Sequence, residues 1–300
     1  MTGDGMKLAI QMVTMPVIAF VVGLVLVQMM RRVRATVERR VGPPVGQPIY
    51  DILKLYGKRT NISHGVMHDT AMMLLLGGMF TVVQFLPVPD MMGLAGKGDL
   101  ITLLYLMMIP SLGMALGVGQ CANPNGSIGI ARALTSMLAY EIPFMVAVAG
   151  VAIYYGTTNL PEIIARQQAG SWGVVSMPLL ALGALVAVHG MLGKEPFEVY
   201  VAPAEIATGP MVEMGGKYLG AMFVMQCFQL YIVGVLYSEL FLGGGAAWWS
   251  LLIKVFVVIL IPVTLTNVYP RYKTDAMLRW MWKWPTAIAL LGLGAVMLKV

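Results

Sequence analysis

Charge is what this chain has least of. Only 11% of its 300 residues are charged, less than half the share of about 25% usual in a soluble globular domain. Cysteine and histidine are scarcer still, at two and three residues. Cys121 and Cys227 stand far apart, in or beside apolar stretches, which excludes a disulfide framework or a cysteine array for an iron–sulfur cluster. His64 and His68 have the i, i+4 spacing of two metal ligands on a helix. Their one neighbouring third candidate, Asp69, equally suits a helix cap, so no metal site is expected. There is no phosphate-cradling glycine loop and no nucleophile motif. Any redox chemistry is therefore expected on other chains, with no cofactor held here.

Apolar residues fill the space instead. They make up 58% of the chain, and the mean hydropathy is +0.79. Eight runs approach or exceed the roughly 20 residues that cross a hydrocarbon core: 8–30, 68–88, 101–120, 134–156, 174–193, 217–241, 249–269 and 279–298. Each must be helical, because lipid offers an open backbone no partner. The expected fold is all-α, a single polytopic membrane domain over 1–300 with about eight transmembrane helices. The first run is too long for a cleavable signal, and its basic cluster follows it instead of preceding it. The 26 methionines suit adaptable packing between helices.

Orientation follows from the basic residues. Arg31, Arg32, Arg34, Arg39, Arg40, Lys54, Lys58, Arg59, Arg132, Lys194, Lys217, Arg271, Lys273, Arg279 and Lys283 all fall after odd-numbered runs. Lys7, Lys97, Arg166 and Lys299 fall on the other side, and Lys254 falls within a run. The positive-inside rule puts the odd connections in the cytoplasm and both termini outside the cell membrane. The net charge of +6 is thus a topology signal and no pointer to nucleic acid.

Two cytoplasmic connections are long, 31–67 and 194–216. In the first, Ile49, Ile52, Leu53 and Tyr56 recur at helical spacing after the Gly42-Pro43-Pro44-Val45-Gly46 turn. This predicts an amphipathic helix lying on the membrane surface or against a partner. The second connection is acidic, with Glu195, Glu198, Glu205 and Glu213. Carboxylates held beside a bilayer suit proton handling or docking. Charges inside a membrane usually face a cavity or a partner. Glu141, two turns into its run and just before Pro143, reads as a protonatable relay group; the alternative is a Glu reaching the interface or paired with Arg132. Glu239 and Lys254, near the outer ends of consecutive runs, read first as a structural ion pair and second as part of an ion path. His189 reads first as a hydrogen-bonded structural residue and second as a relay.

The segment from Arg132 to Tyr140-Glu141 resembles the Arg…Ser-Tyr-Glu segment of the H-type membrane subunits of complex I. Pro196-Phe197-Glu198, Glu205 and Glu213 fall in register with that family's acidic loop. Tyr269-Pro270-Arg271-Tyr272-Lys273-Thr274-Asp275 resembles its Pro-Arg motif, and Glu38-Arg39-Arg40-Val41-Gly42-Pro43 with Gln47-Pro48, Asp51 and Lys54 its first inner loop. Eight helices is the family's count. The first loop is shorter than in the quinone enzymes, with only Pro44-Val45-Gly46 between Gly-Pro and Gln-Pro. In this it is similar to the membrane anchors of energy-converting NiFe hydrogenases and the related sulfane reductase. Val201, Pro203 and Gln226 replace Glu of the quinone enzymes, and Thr266 replaces Arg, so their acidic path does not carry over whole.

The resemblance implies a non-catalytic membrane subunit of a multisubunit oxidoreductase. It would dock a cytoplasmic redox arm and couple electron transfer to proton or sodium movement. Implied partners are a hydrogenase-like large subunit, a small iron–sulfur subunit and antiporter-like membrane subunits, with iron–sulfur clusters and a NiFe or related centre on those partners. The coupling path would use Glu141, Arg132, Glu198, Glu205, Glu213, Gln226, Glu239 and Lys254. Docking would use Arg39, Arg40, Gly42, Pro43, Asp51, Lys54, Arg271, Lys273 and Asp275. The alternatives are a quinone-binding H-type subunit of complex I, a stand-alone ion transporter and a purely structural anchor.

Overall fold

The computed structural model describes residues 3–60, 65–119 and 122–298; His64, Cys121 and Lys299 lie outside them. Twelve α-helices follow one another among the described residues: α1 Gly3–Val37, α2 Gln47–Tyr56, α3 Val66–Gln84, α4 Leu100–Val118, α5 Pro124–Tyr155, α6 Leu160–Ala169, α7 Gly173–Ser176, α8 Pro178–Leu192, α9 Pro203–Ile206, α10 Lys217–Phe241, α11 Trp248–Thr266 and α12 Thr274–Met297. No strand occurs among them, and the fold is all-α. Six helices, α1, α3, α4, α5, α10 and α11, are long and apolar enough to cross a membrane. Of the other two expected spans, α8 is apolar but has 15 residues. Helix α12 has 24 residues and carries Asp275, Arg279 and Lys283 in its first half.

Local chemistry explains where the ends differ from the hydropathy limits. Helix α5 starts ten residues before the expected 134. Asn123 caps it, its side chain accepting from the Asn125 amide at 2.9 Å, and Pro124 fits the first turn, where no amide is needed. At 32 residues α5 is about 48 Å long, well beyond a hydrocarbon core of about 30 Å, so its polar first turns stand outside. Helix α3 stops at Gln84, short of the expected 88, just before Pro87. The run at 174–193 is broken at Met177, because the residue before a proline is pushed out of helical geometry; the short α7 precedes the break. Helix α6 has no counterpart among the expected spans, being too short and polar to register as one. It buries Leu160, Ile163 and Gln167.

Helix α10 is the hub. Every residue from Cys227 to Phe241 except Gln229 is buried, and α10 packs against α1, α3, α8 and α11. Small residues let backbones approach, as in other membrane bundles. A Cβ at Gly23 of α1 would run into the Cys227 carbonyl of α10, and one at Gly113 of α4 would sit 2.8 Å from the Ala71 carbonyl of α3. Helix α12 closes the other flank against α5 and α8.

The amphipathic helix expected near residue 50 is α2. Its apolar face is divided: Pro48 and Ile52 are buried, while Ile49, Tyr50, Leu53 and Tyr56 are exposed. Gln28 of α1 fixes the turn before it. Its buried amide donates to the Pro43 and Pro44 carbonyls at 3.0 and 2.9 Å. Asp51 accepts from Arg31 at 2.7 Å and from Gln47 at 2.8 Å.

Candidate functional site: an acidic loop and the cavities behind it

The connection between α8 and α10 is held on several sides. Glu198 receives Arg271, from the connection before α12, at 2.8 Å. Glu195 lies 3.7 Å from Arg34 of α1 and 4.0 Å from Arg271. The Tyr272 amide donates to the Pro196 carbonyl at 2.9 Å. Phe197 is buried among His189, Tyr272 and Trp280, its ring stacked on Tyr272 with centroids 6.0 Å apart. His189 meets the Glu195 carbonyl at 2.9 Å, the structural role expected for it.

Farther along, Arg132 of α5 pairs with Glu205 at 2.5 Å, and the Asn123 amide donates to Glu213 at 2.7 Å. Ala202, Ala207 and Thr208 all have positive φ, conformations that cost non-glycine residues about 1–3 kcal/mol each and persist only where surroundings enforce them. Gly129 of α5 supplies part of that enforcement. A Cβ there would lie 2.6 Å from Pro210, so only glycine lets the loop seat on α5.

The electrostatics differ along the loop. Burial, then the neighbouring Glu195, push the Glu198 carboxyl above the usual range, despite the Arg271 pair. Burial likewise pulls the Lys194 ammonium down. It also lifts the Tyr200 phenol to about 12, with Glu198 adding to the shift. Glu205 is exposed, and the Arg132 hydrogen bond holds it below the usual carboxylate range. On α2, burial pushes Asp51 up, but the bonds from Arg31 and Gln47 outweigh it and leave the carboxyl low.

Behind the loop lies a series of cavities that share walls. One of about 170 Å³ is lined by Arg31, Arg34, Lys194, Gln226 and Thr266 among others. Lys194 and Gln226 also line the next, of about 180 Å³, with Glu198, Tyr200 and Gln229. Tyr200 and Gln229 line a third of about 60 Å³, with Ser136 and Tyr140. Tyr140 and Gln229 then line a fourth of about 70 Å³, which Glu141 borders. Methionines form much of the inner two, with Met79 and Met191 common to both. Gln229 thus touches three of the four, although no sequence motif singles it out. Its spacing of three from Gln226 on α10 is the one signal available.

Other expected site residues are placed elsewhere. Glu141 has no ion pair among the described residues, and Arg132 is engaged by Glu205. The expected Glu239–Lys254 pair does not form. The Lys254 ammonium donates to the Leu242 and Gly244 carbonyls at 2.7 and 2.6 Å and lies over the Trp172 ring. Carbonyls left open at the end of α10 thereby satisfy the lysine. Glu239 is fully buried, and neither carboxylate oxygen has a hydrogen-bond partner among the described residues. Arg39, Arg40, Lys54, Lys273 and Asp275 are exposed. Gly42 and Pro43 lie in the turn that Gln28 secures. No group of three possible metal ligands occurs among the described residues, and His68 bonds the Gly117 carbonyl.

Residues 9–297 match the model of the NADH dehydrogenase family. The chain is 28% identical over 291 residues to the H-type subunit of NADH-quinone oxidoreductase from Geobacillus kaustophilus, covering 89% of this chain and 85% of that protein. It is 28% identical to the corresponding protein of Cupriavidus metallidurans, covering 96% and 90%. A solved chain from the membrane-bound sulfane sulfur reductase, an archaeal respiratory membrane complex, superposes with a TM-score of 0.93 at 36% identity, over 96% of this chain and 99% of that one.

Proposed function

The chain belongs to the NADH dehydrogenase family, and from that premise we propose that it is the core membrane subunit of a sulfane reductase- or NiFe hydrogenase-type respiratory assembly. It is a multi-pass membrane protein and a membrane subunit of the complex I-related class. In the proposed role the α1 end, the acidic loop and the connection before α12 form one cytoplasmic platform under a redox arm, with both termini outside. The observation that carries this reading is the joint clamping of Glu195 and Glu198 by Arg34 and Arg271. It ties the end of α1 and two connections, all distant in sequence, into a single surface.

Coupling uses the same surface. Glu198 sits at the mouth of the cavities that lead past Tyr200, Gln229 and Tyr140 to Glu141. A carboxyl, two phenols and amides lining successive water-sized spaces can pass a proton by short transfers once water enters. Electron transfer in the arm would bias the loop, and the loop would bias the protonation of Glu141. Glu205 and Glu213 anchor the loop to α5 and its start. Iron–sulfur clusters and a NiFe or related centre belong to a large catalytic subunit and a small iron–sulfur partner. Antiporter-like partners complete the ion path beyond Glu141.

The replacement of acidic and basic positions by Gln226, Val201, Pro203 and Thr266 favours this branch over quinone reduction. The test is turnover of the purified complex in proteoliposomes. A low-potential donor should drive hydrogen or sulfide release together with ion uptake. Turnover that requires a quinone, with neither gas nor sulfide formed, would make this a quinone-reducing subunit instead.

A further inference from the structure

The cavity of about 170 Å³ between α1, α10 and α11 is lined by three cationic side chains, Arg31, Arg34 and Lys194, and by no carboxylate. The arginines have acidic partners outside the lining, Asp51 for Arg31 and Glu38 and Glu195 for Arg34. Lys194 has no such partner. Its ammonium makes no hydrogen bond or ion pair among the described residues, although Glu195 and Glu198 act on it at a distance. Gln226 and Thr266 add an amide and a hydroxyl to the wall. The volume is several times the share of about 30 Å³ that one liquid water occupies, enough for a compact tetrahedral anion.

The rest of the lining changes character. Val27 and Met30 of α1 and Val263 of α11 form an apolar wall beside the cations. Arg31 and Arg34 remain 30% and 49% exposed, so the cavity reaches the molecular surface at the polar end of the helices. A polar end rich in positive charge and an apolar end between helices fits an amphiphile whose head is an anion. Basic pockets between transmembrane helices at this level are a known fit for acidic lipid headgroups.

We propose that this cavity binds the phosphate of an acidic membrane phospholipid, with Lys194 as its dedicated cation, Arg34 and Arg31 as shared ones, and the acyl chains running along α1 and α11. A bound headgroup would neutralise Lys194 and brace the loop that carries Glu195 and Glu198 against α1. The cavity shares Lys194 and Gln226 with the next one, so its occupant also closes that end of the series.

Native mass spectrometry of the whole complex released from mild detergent tests this. The wild-type complex should retain one equivalent of acidic phospholipid that is lost from two variants: Lys194→Gln, which removes the unpaired cation, and Met30→Trp, which fills the apolar wall without changing charge. Should a variant fail to assemble, the delipidated wild-type complex serves. Vesicles of acidic phospholipid should raise its unfolding midpoint, and zwitterionic vesicles should not. Undiminished lipid in both variants, or an equal effect of zwitterionic lipid, would overturn the proposal. Full replacement of the lipid effect by inorganic phosphate would make the site one for a free anion and overturn the lipid assignment.

Discussion

At the scale of single residues, the acidic loop separates carboxylates by surroundings more than by sequence. Glu198 and Glu205 lie seven positions apart, yet burial lifts one and an arginine lowers the other. The consequence for pH is specific. As pH climbs from the usual carboxylate value of about 4.3 towards the raised value of Glu198, the folded protein still holds a proton that the unfolded chain has released. Stability contributed there declines with rising pH. Glu198→Gln should remove that decline, seen as a flatter unfolding midpoint of the complex as pH rises above about 4.3; an unchanged slope would assign the dependence to another group. Glu141 tests the relay itself. Glu141→Gln should leave assembly intact and cut ion uptake per electron by about a hundredfold or more, the range of lost proton transfer. Normal coupling in that variant would reduce this chain to an anchor. The missing Glu239–Lys254 pair belongs at this scale too. Both charges are legible in the sequence, but the open carbonyls that claim Lys254 exist only once α10 has ended.

At the scale of helices, contact distance between backbones decides what the bundle tolerates. Gly23→Leu should push α1 away from α10 and cost about 1–3 kcal/mol by overpacking. The reading would be a lower unfolding midpoint and faster proteolysis at the α1–α2 turn, and wild-type behaviour on both counts would show that the helices can re-space. Most of the long helices are legible from hydropathy, with α10 matching its expected limits. Their ends are less so, because capping and proline decide them: Asn123-Pro124 lengthens α5, and Pro178 shortens α8. Helix α6 escapes because burial of Gln167 against the end of α10 is a tertiary fact, its side chain donating to the Glu239 carbonyl at 2.8 Å. The acidic loop is legible as chemistry but not as shape. Its left-handed residues at 202, 207 and 208 are enforced by neighbours such as Gly129, which no local pattern announces.

At the scale of the whole molecule, the end of α1 and two connections are fastened into one surface. Arg271→Glu should break that surface by setting like charges beside Glu195 and Glu198. The soluble arm should then be lost from the purified complex while this chain stays inserted; full retention of the arm would mean that docking rests elsewhere. The same fastening has a mechanical side. The loop is joined to the foot of α12 by the Tyr272 amide and the Phe197, Tyr272 and Trp280 rings, and α12 runs for 24 residues, about 36 Å, with Pro285 near its middle. A rod gripped at one end and softened midway behaves as a jointed lever. A tilt imposed at the platform is carried along the first turns to Pro285, where the Met281 carbonyl has lost its amide partner and is held by the Thr286 hydroxyl instead, at 3.0 Å. A push on the foot of α12 therefore meets a joint halfway along, on a flank packed against α5 and α8 and separate from the cavities.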